Sequence, residues 1–436
     1  MLVRYQIEGR TAAAIAGSVE TGVRTGRLGS GAALPPVRAL ADELAVSPAT
    51  VAAAYRLLRE RGMVETAGRN GTRVRNRPPL ARRMAKMPPV PAGVVDLSAG
   101  EPDPELLPDL TPHLREITPA GLGYRTGGPL PELLDAARDR LHGVPTAHLT
   151  LTSGALDGIE RVLTAHLRPG DKVAVEDPGW ANLLDLVAAL GLVAVPLPLD
   201  DDGPTPDGIA AALSAGAAAA VVTSRAQNPT GASVTASRAR ALRAVLRPYP
   251  HVVLIEDDHA AELADGGLHP LAGATASWAF LRSAAKPYGP DLRLAVLAGD
   301  ETTVARVAGR LRLGAGWVSS ILQRLVLRLW QDPSVAAEVT RARQVYADRR
   351  RSLVAALTGA GLAAHARSGI NVWVPVPDET LAVTRLRDAG FAAAPGAMYR
   401  IASGPAVRIS VGPLRPHMIE PIVAALAAPG RISVGA

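Results

Sequence analysis

From about Val94 onward, short unbroken apolar runs alternate with Ala-, Leu- and Arg-rich stretches of helical length. This alternation constrains the fold of the chain more than any other feature. Lys172-Val-Ala-Val-Glu176, Ala219-Ala-Val-Val-Thr223, Val252-Val-Leu-Ile255 and Leu294-Ala-Val-Leu-Ala298 are apolar at nearly every position. A strand with no polar face is buried on both sides, which happens when helices cover both faces of a mostly parallel sheet. The spacing therefore predicts an α/β domain over residues 94–436. The last hundred residues alternate in the same way and are expected to form a small α+β subdomain. With 436 residues, two or three domains are expected.

Residues 1–93 follow a different pattern. A helix is expected over 7–26, with Ile7, Ala14, Ile15 and Val19 on its apolar side. Pro35-Pro36 opens a second, short amphipathic helix, Val37-Arg-Ala-Leu-Ala-Asp-Glu-Leu44, and Ala45-Val46 makes a tight turn. Ser47-Pro48 is a capping residue followed by proline at the first helical position, so a third helix runs from Ala49 to about Arg61 and stops at Gly62. Val64-Glu-Thr66 and Thr72-Arg-Val-Arg75 flank Gly68-Arg-Asn-Gly71 and read as a hairpin with Asn-Gly at its tip. Two helices joined by a tight turn and followed by a hairpin make a winged helix–turn–helix over residues 1–75. Residues 76–93 hold five prolines and no apolar period, and are read as a short, semi-rigid linker.

Charge separates the same two regions. Residues 1–86 carry 15 Lys and Arg against 6 Asp and Glu, a balance of +9, whereas the whole chain is only +7. The basic character thus belongs to the N-terminal fifth, which points to a polyanionic partner there. The absence of cysteine removes disulfides and thiolate metal sites, and fits a reducing, cytoplasmic setting. No apolar run approaches the roughly 20 residues of a membrane span, and no signal peptide or metal site is expected.

In a winged helix–turn–helix the second helix of the motif enters the major groove. Ser47, Thr50 and Tyr55 on it are the candidates for phosphate or base-edge contacts. Arg38 is placed to clamp a phosphate, and Arg69 and Arg73 in the wing to reach the DNA backbone or minor groove. The run from Leu34 through Val64, continued by Gly71-Thr-Arg-Val74, resembles the GntR-type winged-helix domain. That resemblance implies binding to double-stranded DNA.

The chain has only three lysines: Lys86, Lys172 and Lys286. Lys286 stands in Leu281-Arg-Ser-Ala-Ala-Lys-Pro-Tyr-Gly-Pro290, just before an apolar strand, where a depressed pKa makes a lysine an amine nucleophile. Around it in chain order come Thr152-Ser-Gly-Ala-Leu156 opening a helix, Asn228-Pro-Thr-Gly231 after a buried strand, and Glu256-Asp-Asp-His259 ending another. Asp258 is the neighbouring rival of Asp257 for any role there. Ligands of such sheets bind beyond the carboxyl ends of the strands, where these residues fall.

Together these residues resemble the cofactor site of the aspartate-aminotransferase fold, fold type I, over residues 94–430. The resemblance implies pyridoxal 5'-phosphate as cofactor, with Lys286 forming the internal Schiff base. Asp257 would hold the ring nitrogen, Asn228 and His259 the ring hydroxyl, and Trp180 would stack on the ring. The backbone of Gly154, Ala155 and Leu156, with Ser283 and Arg293, would hold the phosphate. Tyr124 would reach the phosphate in the neighbouring subunit of a homodimer, and Arg408 would clamp a carboxylate. The sequence departs from the family pattern in having His259 for tyrosine, Ala285 for serine and Pro129 for glycine.

The order of the two parts resembles the MocR group. It implies a transcription regulator that senses pyridoxal 5'-phosphate or a small amino compound forming an aldimine with it. A working aminotransferase with a vestigial head is the alternative, because binding the cofactor and using it need overlapping residues. A protein-interaction head on a cofactor-storage domain is a third, weaker reading.

Overall fold

The computed structural model describes residues 5–29, 31–60, 63–66, 71–75, 83, 87, 89–118, 123–125 and 127–428. The chain divides into two compact units. One comprises residues 1–82 with 167–172 and 185–193, the other the remainder. Most of the expected linker lies outside the described residues, as do Lys86, Arg69 and the rest of the hairpin tip before Gly71.

In the first unit, α1 (Ala12–Arg24) starts later than its apolar pattern suggests. Gly9 sits at φ +124, and a Cβ there would fall 2.8 Å from the backbone of Ala14 and Ile15. The chain therefore bends at Gly9, and Thr11 caps the helix by accepting from Ala14 N at 3.2 Å. Helix α2 (Val37–Leu44) ends where Ala45 adopts a left-handed conformation, and α3 (Pro48–Glu60) follows at once. Strands β1 (Val64–Thr66) and β2 (Thr72–Val74) pair antiparallel, Val64 facing Val74. Residues 31–34 add a further rung, with a bridge from Ala33 to Arg73. Ile7, Ile15, Val19, Leu40, Val51, Leu58 and Val74 form the core beneath these elements.

The second unit is built on an eight-stranded sheet. Its spatial order is His148–Thr152, Ala295–Gly299, Ser277–Ser283, Val253–Asp258, Ala217–Thr223, Lys172–Asp177, Val193–Asp200, Gly203–Pro204. Val253–Asp258 runs parallel to both of its neighbours. Ala295–Gly299, one of the apolar runs read as belonging to a mostly parallel sheet, runs antiparallel to both of its own. The reason is the length of the connection. Only residues 284–294 separate it from the preceding strand, with a four-residue helix among them, and a parallel crossover needs about a dozen or more. The expected C-terminal subdomain is present. Asn371–Pro375, Ala406–Ser410 and Ala394–Pro395 form an antiparallel sheet beside helices Pro333–Gly359, Glu379–Asp388 and Pro416–Ala427. It also recruits Val95–Asp96, which pairs in parallel with Phe391–Ala392. Among the described residues no helix is long and apolar enough to cross a membrane.

Candidate functional site

In the N-terminal unit, Arg38 and Ser47 are exposed and Thr50 is half-buried. Ser47 Oγ accepts from Thr50 N at 3.1 Å and shares a 2.8 Å hydrogen bond with Thr50 Oγ1, so this pair also caps α3. Arg73 donates to Gly31 O at 3.2 Å, tying the wing to the segment before α2. Tyr55 does not fit the role given it above. It is 3% exposed and its hydroxyl donates to Pro35 O at 2.7 Å, which makes it a core residue that fixes the entry to α2. Burial and the Glu43 carboxylate raise its pKa.

The larger unit holds a cavity of about 310 Å³ beyond the strand ends, lined by Ala155, Leu156, Trp180, Asn228, His259, Ser283, Lys286, Arg293 and Arg408. Nine residues separated by up to 253 positions in sequence thus converge on one space.

Lys286 follows the strand Ser277–Ser283 and lies in the short helix Ala285–Tyr288. Burial lowers its pKa to about 8, helped by the Arg408 guanidinium and opposed by Glu101. Such an amine is neutral more often near neutral pH than that of an ordinary exposed lysine. Its Nζ donates to Gly100 O.

Asp257 and Asp258 end the same strand and alternate across it. Asp257 is 2% exposed; its Oδ2 is 3.0 Å from His259 Nδ1, and its Oδ1 is buried without a partner. The His259 ring lies nearly parallel to Trp180, 24° between planes and 6.3 Å between centroids. Asp258 points the other way, where Arg225 and Arg282 both grip its Oδ2 at 2.8 Å. Burial alone would raise the Asp258 pKa, but the two guanidiniums outweigh it and hold it low. The two aspartates thus face opposite sides of their strand.

At the other end of the cavity, Gly154 sits at φ +99, and a Cβ there would fall 2.6 Å from Arg293 Nη2. The helix Ala155–His166 starts immediately after it, so its free N–H groups and Arg293 converge on one spot, an arrangement suited to an anion. Gly154→Ala should therefore destabilise the protein by about 1–2 kcal/mol, from the left-handed backbone and the displaced guanidinium. A lowered urea midpoint would register this; an unchanged midpoint would refute it.

Arg408 is 2% exposed, donates to Asn228 Oδ1 at 3.0 Å and to Ser98 O, and lies 4.8 Å over the Tyr399 ring. Burial lowers its pKa. Tyr124 is 92% exposed, edge-on to Trp317 at 6.2 Å, and is absent from the lining of its own chain's cavity. The sequence reading missed Gly100, Glu101 and Tyr399, which also line the cavity. Gly100-Glu-Pro-Asp103 carries a turn signal that could have drawn attention to the first two.

The profile described as "Aminotransferase class I and II" matches residues 92–426, and "Bacterial regulatory proteins, gntR family" matches residues 11–74. The vitamin B6 salvage pathway transcriptional repressor PtsJ of Salmonella typhimurium is 39% identical over 423 residues, covering 96% of this chain and 98% of that protein. The chain belongs to the aminotransferase class I and II family, in its MocR-type branch. The HTH-type pyridoxine biosynthesis transcriptional regulator PdxR of Corynebacterium glutamicum is 28% identical over 75% of this chain and 74% of its own length. A mutant of Thermus thermophilus aspartate aminotransferase superposes with a TM-score of 0.65 at 26% identity, covering 79% of this chain and 98% of that structure. The MocR-type assignment accounts for both units: a GntR head, and a body of fold type I.

Proposed function

We propose that this protein is a DNA-binding transcription regulator whose signal is pyridoxal 5'-phosphate, a small amino compound that reacts with it, or both. The observation that carries this reading is the convergence of Lys286, Asn228, Arg293 and Arg408 on one cavity in a chain that also bears a GntR head. The vitamin B6 link of PtsJ supports it.

The residues fit the cofactor. The unpartnered, buried Oδ1 of Asp257 suits a protonated pyridine nitrogen. The cradle at Gly154 and Arg293, too tight for a Cβ, suits a phosphate. Lys286, with its lowered pKa, suits the aldehyde. Asn228 would serve the ring hydroxyl, Trp180 the ring face and Ser283 the phosphate. When bound, pyridoxal phosphate supplies a reactive aldehyde and an electron-withdrawing ring. Arg408 would hold the carboxylate of an amino compound, and His259 would hold Asp257 in place through its 3.0 Å contact.

A homodimer in which Tyr124 serves the partner's cavity accounts for a tyrosine left exposed in its own subunit. The working-aminotransferase reading rests on the presence of both Lys286 and Arg408. The regulator needs only that a ligand favour one conformational state over another.

The full-length protein should bind DNA with a steep salt dependence, because phosphate neutralisation releases counterions. Arg38→Ala should weaken all sequences and reduce the slope of log K against log salt by about one. Thr50→Ala should reduce discrimination between sites. Fluorescence anisotropy on fragments from the control region beside its own gene tests this. Absence of binding to any fragment at low salt would overturn the regulator reading.

A further inference from the structure

Two of the residues proposed to meet the cofactor ring come from loops that follow neighbouring strands. Trp180 comes after the strand Lys172–Asp177, and Asn228 after Ala217–Thr223. Past the strand ends the sheet ladder no longer fixes the distance between two such loops, and their buried backbone groups need other partners. Gln227, next to Asn228 and absent from the cavity lining, supplies them.

The Gln227 side chain is buried. Its Nε2 donates to Pro178 O at 2.9 Å, in the loop that carries Trp180. Its Oε1 accepts from Thr230 N at 3.0 Å and from Thr230 Oγ1 at 2.7 Å, in the turn that carries Asn228. The partners dictate which way the amide points: the Pro178 carbonyl can only accept, and the Thr230 N–H can only donate. The main chain holds Gln227 itself in place. Its N–H donates to Ala232 O at 2.9 Å, and its carbonyl accepts from Gly231 N at 2.6 Å. Beside the amide lies the buried carboxyl of Glu176, which accepts from Thr223 N and Thr223 Oγ1 at 2.8 Å each. Burial pushes the Glu176 carboxyl up to about 7, while Thr223 and the Gln227 side chain favour its ionised form.

We propose that Gln227 is a positioning residue that joins the Trp180 loop to the Asn228 turn and so sets the spacing of the ring-face and ring-hydroxyl contacts. The inference rests on the cofactor-binding reading above and adds a residue that lies outside the cavity. The link needs a donor at one end and an acceptor at the other, which an amide of this length provides. Glutamate has the same shape but sets an oxygen against Pro178 O and a second carboxyl beside Glu176. Each loop has a further anchor. Gly179 N donates to Tyr399 O at 2.7 Å, and Asn228 Oδ1 accepts from Arg408 at 3.0 Å. Loss of the link therefore shifts the two loops relative to one another and leaves both attached.

The test compares the full-length wild type with Gln227→Glu, Thr230→Val and a control, Leu246→Ala. Thr230→Val keeps the β-branched shape and loses the hydroxyl that donates to Gln227 Oε1. Leu246→Ala removes a fully buried side chain from the helix Ala236–Leu246. Each protein is loaded with pyridoxal phosphate. Three quantities are read: the visible circular dichroism per bound cofactor, the dissociation constant of the cofactor, and the thermal midpoint. Gln227→Glu should lower the ellipticity per bound cofactor and weaken binding roughly tenfold, the scale of one or two buried hydrogen bonds. Thr230→Val should change both in the same direction by less. Leu246→Ala should lower the thermal midpoint and keep the wild-type ellipticity.

Wild-type ellipticity and affinity in Gln227→Glu would overturn the proposal and leave the cofactor reading standing. If Gln227→Glu does not fold, wild-type values in Thr230→Val would overturn it instead. Equal loss of ellipticity in Leu246→Ala would make the effect one of stability alone and would also overturn it. Failure of the wild type to take up cofactor at all would overturn both readings.

Discussion

Lys286→Ala should lose pyridoxal phosphate on gel filtration, whereas the wild type retains it and carries its colour. Of the two described lysines, Lys172 and Lys286, only Lys286 lies in the cavity lining, and burial beside Arg408 lowers the pKa of its amine. Borohydride treatment of the loaded wild type should fix the cofactor on the peptide containing Lys286. The loss of affinity should be at least about a hundredfold, or ~3 kcal/mol. Label on Lys172 or Lys86, or unchanged colour in the variant, would contradict the assignment. Arg293→Ala should also weaken retention, but less, because the helix Ala155–His166 still presents its N-terminus to the phosphate.

The second large effect is on stability. Asp258→Ala should destabilise the larger unit by about 3–5 kcal/mol, since it takes from two buried guanidiniums the carboxylate that both of them grip. Arg225 and Arg282 are each less than one-tenth exposed, and Asp258 is fully buried. Denaturant unfolding followed by tryptophan fluorescence checks this. The sign with pH follows from the low pKa of Asp258 in the folded state. The contribution is complete above the unfolded carboxylate value of about 3.9 and is lost as pH falls through the folded value. Asp257→Ala, one residue away, should cost cofactor affinity far more than stability. Equal destabilisation by the two substitutions would contradict the division of roles.

That pair also shows what could be read from the sequence and what could not. The α/β body and the winged head were legible, and so was most of the set of residues that converges on the cavity. Apolar runs, caps and turn residues are local signals, and the chain order of Gly154, Trp180, Asn228, Asp257 and Lys286 is one the resemblance could match. The run alone did not show which face each of the two adjacent aspartates takes, because a one-residue shift reverses the face and the partners of Asp258 come from elsewhere, Arg282 from the strand Ser277–Ser283 and Arg225 from just after Ala217–Thr223. Tyr55 was misread for a related reason. A tyrosine on a recognition helix looks like a contact residue until Pro35 O is seen to take its hydroxyl. The antiparallel course of Ala295–Gly299 lay in a short connection rather than in its composition. Gly100 was missed because a turn signal says nothing of its carbonyl, which accepts from Lys286.

The regulator account stands most directly on one titration. DNA from the control region beside the gene should be titrated with full-length protein that is free of pyridoxal phosphate, loaded with it, and loaded in the presence of candidate amino compounds. Turnover with an amino acid and a 2-oxo acid should be assayed on the same preparations. The expected result is an affinity that changes by about tenfold or more between cofactor states, a coupling of ~1.4 kcal/mol, with turnover slow or absent. DNA affinity indifferent to every cofactor state, together with steady multiple turnover, would contradict the account and establish the enzyme.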